Sequence, residues 1–194
     1  MNITPEQPRH AAAIEALLDT AFGPDRQSKT AYRLRDGVAP IQELCLVATE
    51  VDAAGREHLK GTIRYWPVTI GGTTPALLLG PIAVAPALQG TGLGSKLIRQ
   101  TLNLAAAAGH RIVLLVGDAP YYERFGFSRA MTQALQFPGP VDLDRFLGLE
   151  LVPGALQGVS GMVGRVTAVE AVEPALSVLP KRVRSNSLRI ARPA

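Results

Sequence analysis

The sequence has few of the features that mark secreted or membrane proteins. It contains one cysteine in 194 residues, and its longest apolar run, Ala76–Ala87, includes one glycine and two prolines. A membrane-spanning helix needs about 18 to 20 apolar residues, so we expect none. The first residues, Met1–Glu6, lack the basic and apolar segments of a secretory signal, and Cys45 has no partner for an intrachain disulfide. These absences predict a cytoplasmic protein.

Charged residues are also sparse, and the excess of positive charge lies at one end of the chain. The composition is 47% hydrophobic and 19% charged, which is too apolar for a disordered chain. Five basic residues and no acidic residue lie in Lys181–Ala194, so the net charge of +4 leaves the first 180 residues at −1. Such a tail can bind phosphates or lie free in solvent, and we favour the solvated terminus. We expect no nucleic-acid or membrane partner, and a homodimer is possible.

The histidines and the cysteine do not indicate a metal site or a nucleophile. His10, His58 and His110 lie in different predicted elements and form no i, i+4 pair, whereas zinc sites need clustered ligands. Cys45 lies within an apolar segment and is expected to be a small core residue. We therefore predict no metal.

Hydrophobic periodicity predicts two helices and then three strands. Apolar residues at helical spacing predict an amphipathic helix over 14–22 and a weaker helix over 28–35. Strands are predicted over 44–48, 61–70 and 76–84. The turns between these strands are short, which favours antiparallel hairpins.

The chain then changes to an α/β pattern. A glycine-rich loop at 89–94 leads into a helix that ends near residue 108, and a buried strand follows over 111–116. This order forms a βαβ unit, so the strands before and after the helix should be parallel. A short helix is predicted at 121–125, and strands at 134–137 and 147–152. We expect one α/β domain over residues 1–167 and a C-terminal extension over 168–194.

The glycine-rich loop is the most informative segment of the sequence. Glycines let the backbone approach a ligand closely, and the first turn of the following helix has unpaired N–H groups, which together favour a pyrophosphate. A dinucleotide fold would have a third glycine where Ser95 stands, with Asp118 as its acidic residue. Three antiparallel strands precede this loop, however, whereas the dinucleotide loop follows the first strand of its domain. A P-loop is excluded because its motif does not occur.

Two motifs resemble those of the GNAT superfamily of N-acetyltransferases. The acetyl-CoA-binding signature Q/R-x-x-G-x-G/A, between a strand and a helix, is matched by Gln89, Gly92 and Gly94. A second signature, Tyr-x-x-x-Gly-Phe at the end of a short helix, is matched by residues 122–127. The two occur in the family's order, and the resemblance covers about residues 3–137. It implies a mixed sheet in which antiparallel strands precede a βαβ unit with splayed central parallel strands.

The resemblance implies that acetyl-CoA, as co-substrate, binds along the loop and the strand before it. The main chain of the strand would pair with the pantetheine arm as an added strand does, and the N–H groups of the loop would hold the pyrophosphate. Arg124 would reach the 3′-phosphate, whereas Lys96 is expected to be solvated. The cofactor-binding residues implied in this way are Ile82, Ala83, Val84, Gln89, Gly90, Thr91, Gly92, Leu93, Gly94, Ser95 and Arg124.

The catalytic residue that the resemblance implies is Tyr122, which matches the family's general acid for the departing thiolate. A phenol with a pKa of about 10 is a weaker acid than a thiol at about 8.5, so it would act mainly as a hydrogen-bond donor to developing charge. Tyr121 is expected only to pack one side of the short helix. Some family members carry a carboxylate base on the strand before the loop, and here this strand has none. The base stays unassigned, and its candidates are Glu43, Glu50 and Asp118.

These features predict transfer of an acetyl group from acetyl-CoA to a primary amine, by direct attack in a ternary complex. The acceptor would be a small molecule or a peptide. Two alternatives stay open: a non-catalytic acyl-CoA-binding sensor and, less favoured, a nicotinamide-dependent oxidoreductase.

Overall fold

The structure, a computed structural model, describes residues 1–28 and 30–166. Its helices are α1, Ala11–Phe22; α2, Thr30–Arg33; α3, Leu93–Ala107; and α4, Ala119–Tyr122. Its strands are β1, Asn2–Pro5; β2, Leu46–Val51; β3, Glu57–Ile70; β4, Thr74–Val84; β5, Ile112–Val116; β6, Leu135–Gln136; β7, Phe146–Glu150; and β8, Gly161–Arg165. The predicted extension, 168–194, lies outside the described residues.

The strands form a mixed sheet in the order β1-β2-β3-β4-β5-β7, and β8 pairs with the end of β3. Neighbours from β1 to β4 are antiparallel. For β2, β3 and β4 this follows from the short turns that join them. β5 is parallel to β4, since α3 carries the chain back across the sheet between them. The predicted order, antiparallel strands followed by a βαβ unit, is confirmed.

The two parallel strands separate soon after they begin. They pair at only two positions, Leu77 with Val113 and the next residue of each strand, although β4 continues to Val84. Residues 79–84 therefore have no strand partner on the side of β5, within the part of the chain that the structure describes. This is the splayed centre that the resemblance implied.

A β-bulge lies in β4 where the strands separate. Gly80 and Pro81 together lie opposite the single residue Arg64 of β3. The extra residue bends the strand, and Gly80 takes a φ of 116° that side chains rarely allow. Bulges of this kind are common beside active sites, where they redirect the backbone.

The helices α1 and α3 cover opposite faces of the sheet. Val47 and Ala83 pack with α1, while the residues that alternate with them face α3. The Tyr65 hydroxyl of β3 lies 2.9 Å from the Thr101 hydroxyl of α3, which ties that helix to the sheet. Cys45 is fully buried, and burial raises the pKa of its thiol to about 11. The prediction that this cysteine is a core residue is confirmed.

The structure differs from the sequence prediction mainly at element ends. The predicted helix over 28–35 is shorter, because residues 24–28 form a 3₁₀ turn and only Thr30–Arg33 is α-helical. The predicted helix over 121–125 consists of α4 and a following 3₁₀ turn, Glu123–Phe125. β1 and β8 had no prediction, since one ends in proline and the other contains two glycines, both weak strand formers.

Candidate active site

The separation of β4 and β5 leaves a cavity of about 500 Å³, the strand gap. The bulge of β4 forms one wall, and the end of β5 with α4 forms the other. Its lining includes Leu79, Gly80, Pro81, Ile82, Val116, Gly117, Asp118, Tyr121 and Tyr122. The Tyr motif thus borders the gap directly, and the glycine loop lies next to it, since a β-carbon on Gly94 would be 2.9 Å from the Tyr121 hydroxyl.

The glycine-rich loop ends at the N-terminus of α3 with several unpaired amides. Gly92 is the N-cap residue, with a φ of 87°, in the left-handed region. The amides of Gly92, Leu93, Gly94 and Ser95 donate to no acceptor among the described residues. Unpaired amides at the positive end of a helix dipole favour a bound anion.

Two of the loop amides predicted to hold a ligand already donate hydrogen bonds to backbone carbonyls of the loop. The Gln89 amide donates to the Pro86 carbonyl at 3.2 Å, and the Thr91 amide donates to the Leu88 carbonyl at 3.3 Å. These bonds hold the loop in shape. The unpaired donors are concentrated at the first turn of α3, where the dipole is strongest.

The strand segment predicted to pair with the pantetheine arm has one open edge. Ile82, Ala83 and Val84 pair with β3 on one side. Their side chains alternate: Ala83 packs under α1, and its two neighbours pack on the α3 side. The other edge faces the strand gap, so an extended chain could add to it as a strand does.

Tyr122 lies on the opposite wall of the gap and is largely buried. Its ring packs edge-on against Phe127, with centroids 5.9 Å apart. Gly117 has no side chain, and a β-carbon there would overlap the Tyr122 ring. Burial is the main cause that raises the pKa of the Tyr122 phenol to about 12; Asp118 adds to the rise and Arg145 opposes it. The hydroxyl is therefore protonated at neutral pH.

Tyr121 also reaches the glycine loop, which the sequence did not indicate. A β-carbon on Gly94 would lie 2.9 Å from the Tyr121 hydroxyl, so only glycine leaves room for this close approach. The exposed Arg124 stacks on the Tyr121 ring, 4.5 Å from its centroid, and its Nε donates to the Tyr121 carbonyl at 3.0 Å. Tyr121 thus connects α4 to the start of α3 instead of only packing its own helix.

Of the three candidate bases, the structure brings one to the gap. Asp118 lines it at the start of α4. Glu43 is exposed in a 3₁₀ turn, and Glu50 is exposed and lies 3.6 Å from Lys60. Neither glutamate lines the strand gap.

A second cavity of about 720 Å³, the arginine cavity, adjoins the strand gap. Arg26, Arg33, Arg35, Arg64 and Arg165 line it, together with Trp66 and Tyr32. Sequence reasoning missed this cavity because its residues come from distant segments. The only signal was the density of arginines between α1 and β2.

Within residues 1–28 and 30–166, no group of three or more His, Cys, Asp or Glu side chains is placed to hold a metal ion. No helix in these ranges is long and apolar enough to cross a membrane.

The sequence is similar to known acetyltransferases. The family model described as Acetyltransferase (GNAT) domain matches residues 42–129. YhbS, an uncharacterized N-acetyltransferase of Escherichia coli K12, is 32% identical over 165 residues, which cover 84% of this chain and 95% of YhbS. YjhQ, an uncharacterized N-acetyltransferase of the same strain, is 42% identical over 120 residues, which cover 60% of this chain and 64% of YjhQ.

Solved structures with similar folds include two complexes with a CoA ligand. The crystal structure of E. coli YhbS with CoA has a TM-score of 0.71 and 31% identity, covering 85% of this chain and 89% of YhbS. A GNAT family acetyltransferase of Brucella melitensis, in complex with acetyl-CoA, has a TM-score of 0.60 and 30% identity, covering 87% of this chain and 97% of that one.

Proposed function

Because this chain belongs to the GNAT family of acetyltransferases, we propose that it transfers an acetyl group from acetyl-CoA to a primary amine. The acceptor is a small molecule or a peptide, and its amine attacks the thioester directly in a ternary complex. The observation that carries the proposal is the strand gap, which brings an open strand edge and the Tyr122 phenol together, with the unpaired amides of α3 next to it across Tyr121.

The proposed binding of acetyl-CoA uses the open edge of β4 and the start of α3. The pantetheine arm adds to the open edge at residues 82–84, and the pyrophosphate accepts hydrogen bonds from the unpaired amides of the first turn of α3. Arg124 is held beside this turn by its stack on Tyr121, with its charge exposed for the 3′-phosphate. Lys96 is exposed at the end of the first turn of α3, and the proposal gives it no role in binding.

In the proposed reaction, Tyr122 donates a hydrogen bond to the sulfur as negative charge develops there. Its pKa is raised to about 12, and a thiol has a pKa of about 8.5, so complete proton transfer would cost about 5 kcal/mol. A hydrogen bond is therefore the main contribution of Tyr122. The acceptor amine must lose a proton before attack, which costs about 4 kcal/mol for a pKa of about 10 at pH 7. Asp118 is the candidate for this step, directly or through water.

The alternative from another class is a non-catalytic sensor that binds acyl-CoA. Calorimetry with acetyl-CoA and turnover with a panel of amines separate the two. We expect acetyl-CoA to bind and CoA to be released when the acceptor amine is present. Binding without release of CoA for any amine would favour the sensor. A larger thermal shift with NAD than with acetyl-CoA would contradict both readings.

The raised pKa of Tyr122 predicts the pH dependence of turnover. kcat/KM should increase with pH as the acceptor amine loses its proton, and Tyr122 should cause no fall through pH 10, because the phenol with a pKa of about 12 is still protonated. Initial rates between pH 6 and pH 10, corrected for thioester hydrolysis, measure this. A falling limb below pH 10 that disappears in Tyr122→Phe would show that the phenol has an ordinary pKa.

We also predict that removal of Lys181–Ala194 leaves the affinity for acetyl-CoA unchanged. The residues proposed to bind it lie between 82 and 124 in the described part of the chain, and the tail was expected to be solvated. Calorimetry on the truncated protein tests this. A loss of tenfold or more, about 1.4 kcal/mol, would mean that the tail contributes to the site.

A further inference from the structure

The arginine cavity and the strand gap share part of their lining. Arg26, Tyr32, Arg35 and Pro81 border both. A molecule in the arginine cavity would therefore reach the bulge of β4 from the side opposite α3. In the proposed reaction this is the side from which an acceptor approaches, because the amides proposed to hold the cofactor belong to α3, which covers the other face of the sheet.

Arginines outnumber acidic residues around this cavity. Five arginines line it, and the only carboxylates of the described residues among them are Glu15 and Asp36. Asp36 is 86% exposed and lies 3.8 Å from Arg165, so it neutralises little charge inside the cavity. The interior is consequently positive.

Two of the inner arginines already have carboxylate partners. Arg26 is buried and bonds to Asp19 at 2.7 Å and to Glu15. Arg64 bonds to both carboxylate oxygens of Glu6, at 2.6 and 2.8 Å. These pairs fix the walls of the cavity, and they leave Arg26 and Arg64 with little capacity for a ligand.

Arg35 differs from both of them. Its Nε and Nη1 are buried and have no hydrogen-bond partner, and it forms no ion pair with a carboxylate of the described residues. Its guanidinium stacks on the Tyr32 ring, 4.6 Å from the centroid. Nη2 lies 3.3 Å from where a β-carbon on Gly80 would sit, directly beside the bulge. Arg35 therefore presents a charge that has the Tyr32 phenol beside it but no carboxylate partner among the described residues, where the two cavities meet.

An unpaired buried guanidinium destabilises a fold unless a partner arrives. Burial is the main cause that lowers the pKa of Arg35 to about 10; the charge and hydrogen bond of Tyr32 oppose this drop, and Arg26 and Arg64 add to it. The group is still charged at neutral pH. Strain of this kind is typical of binding sites, where a ligand supplies the missing partner.

We propose that the acceptor amine also carries an oxyanion, a carboxylate or a phosphate, and that Arg35 binds this group in the arginine cavity. The planar guanidinium suits the two oxygens of either anion. The inference rests on the proposed function in that the bound molecule is the acetyl acceptor. The cavity volume of about 720 Å³ is in the range of small-molecule sites, which favours an amino-acid-sized acceptor over a protein surface.

The test uses Trp66, the only tryptophan of the chain, which lines the arginine cavity. Its fluorescence is followed, with CoA present, during titration with matched probes. The probes are the non-aromatic L-amino acids against their amides, and O-phosphoethanolamine against ethanolamine. We expect at least one anionic probe to bind at least about thirtyfold more tightly than its neutral counterpart, because the neutral probe cannot form the buried ion pair with Arg35. The two sets of probes distinguish a carboxylate from a phosphate.

Three variants test the role of Arg35 itself. Arg35→Gln should weaken binding of the anionic probe about thirtyfold, and Arg35→Lys should restore part of it. The matched control is Arg33→Gln, which removes the same charge from an exposed residue of the same cavity and should change the Kd less than threefold. An equal loss in both glutamine variants would overturn the assignment to Arg35.

Thermal unfolding separates binding from a structural role. Because Arg35 is unpaired, Arg35→Gln should keep the Tm or raise it by about 2–4 °C. A clear decrease would mean that Arg35 supports the fold.

No binding of any anionic probe, or equal binding of the neutral probes, would overturn the inference. Acetyl transfer to neutral amines alone would also overturn the inference about Arg35, but it would support the proposed function. Tight anion binding without acetyl transfer to any amine would count against the proposed function alone.

Discussion

Gly92→Asp should reduce the affinity for acetyl-CoA at least about a hundredfold, or about 2.7 kcal/mol, while the protein stays folded. Gly92 is the N-cap of α3, and a β-carbon there would meet no atom within 4 Å. An aspartate at an N-cap accepts hydrogen bonds from the amides of the second and third helical residues, here Gly94 and Ser95. The new carboxylate would occupy the amides proposed for the pyrophosphate and would also repel its charge.

Calorimetry with acetyl-CoA measures the loss of affinity, and thermal unfolding shows whether the variant stays folded. Aspartate at the φ of 87° is strained, but its capping bonds offset part of that cost. Gly92→Asn has a similar shape without the charge and should lose less affinity. Gly55→Asp is the matched control, since Gly55 also has a positive φ of 77° and open space around it, on the β2–β3 turn; it should bind acetyl-CoA normally. Equal affinity in Gly92→Asp and the parent would refute the proposed pyrophosphate site.

The parts of the site that the sequence predicted are those set by neighbouring residues. The glycine loop and the start of α3 form one continuous segment, so their residue types alone indicate an anion site. The order of hairpins and βαβ unit follows from turn lengths and periodicity in the same way. The sequence could not show which loop amides are free, because that depends on the turn in which Gln89 and Thr91 bond back to Pro86 and Leu88.

The arginine cavity could not be predicted, because its contacts join residues far apart in the chain. Arg64 of β3 is bound by Glu6, 58 residues earlier. Arg26 is bound by Glu15 across the end of α1, and Arg35 comes to the β4 bulge only when the turns after α1 fold under the sheet. Each arginine by itself looks like an ordinary surface residue. Only the fold shows that two of them are paired and one is not.

The Tyr motif is an intermediate case, since local spacing identified the segment but not the directions of its side chains. Tyr121 and Tyr122 are adjacent, and their rings lie at 89° to each other. One hydroxyl approaches Gly94 at the loop, and the other ring packs over Gly117 at the end of β5. The structure thus gives the two tyrosines different surroundings, and different roles can be tested for each.

Tyr122→Phe should lower kcat about 10- to 1,000-fold, the usual cost of losing one donor to developing charge, with the Kd for acetyl-CoA nearly unchanged. The ring stays in its place over Gly117 and against Phe127, so ground-state packing is kept. The loss appears only in the transition state, when charge gathers on the sulfur. Stopped-flow or quenched-flow measurement of the acetyl-transfer step should be used, so that product release does not hide the effect.

Two further Tyr→Phe variants make this result specific. Tyr65→Phe removes a buried hydroxyl that bonds to Thr101; it should lower the Tm and leave kcat unchanged, which controls for a general loss of stability. Tyr121→Phe removes the hydroxyl beside Gly94 and should affect the Kd for acetyl-CoA more than kcat. If Tyr121→Phe abolishes turnover while Tyr122→Phe keeps it, the donor is Tyr121, and the motif is shifted by one residue in this chain. If both variants keep the full rate of the chemical step, the thiolate is stabilised by water, and neither phenol is the donor.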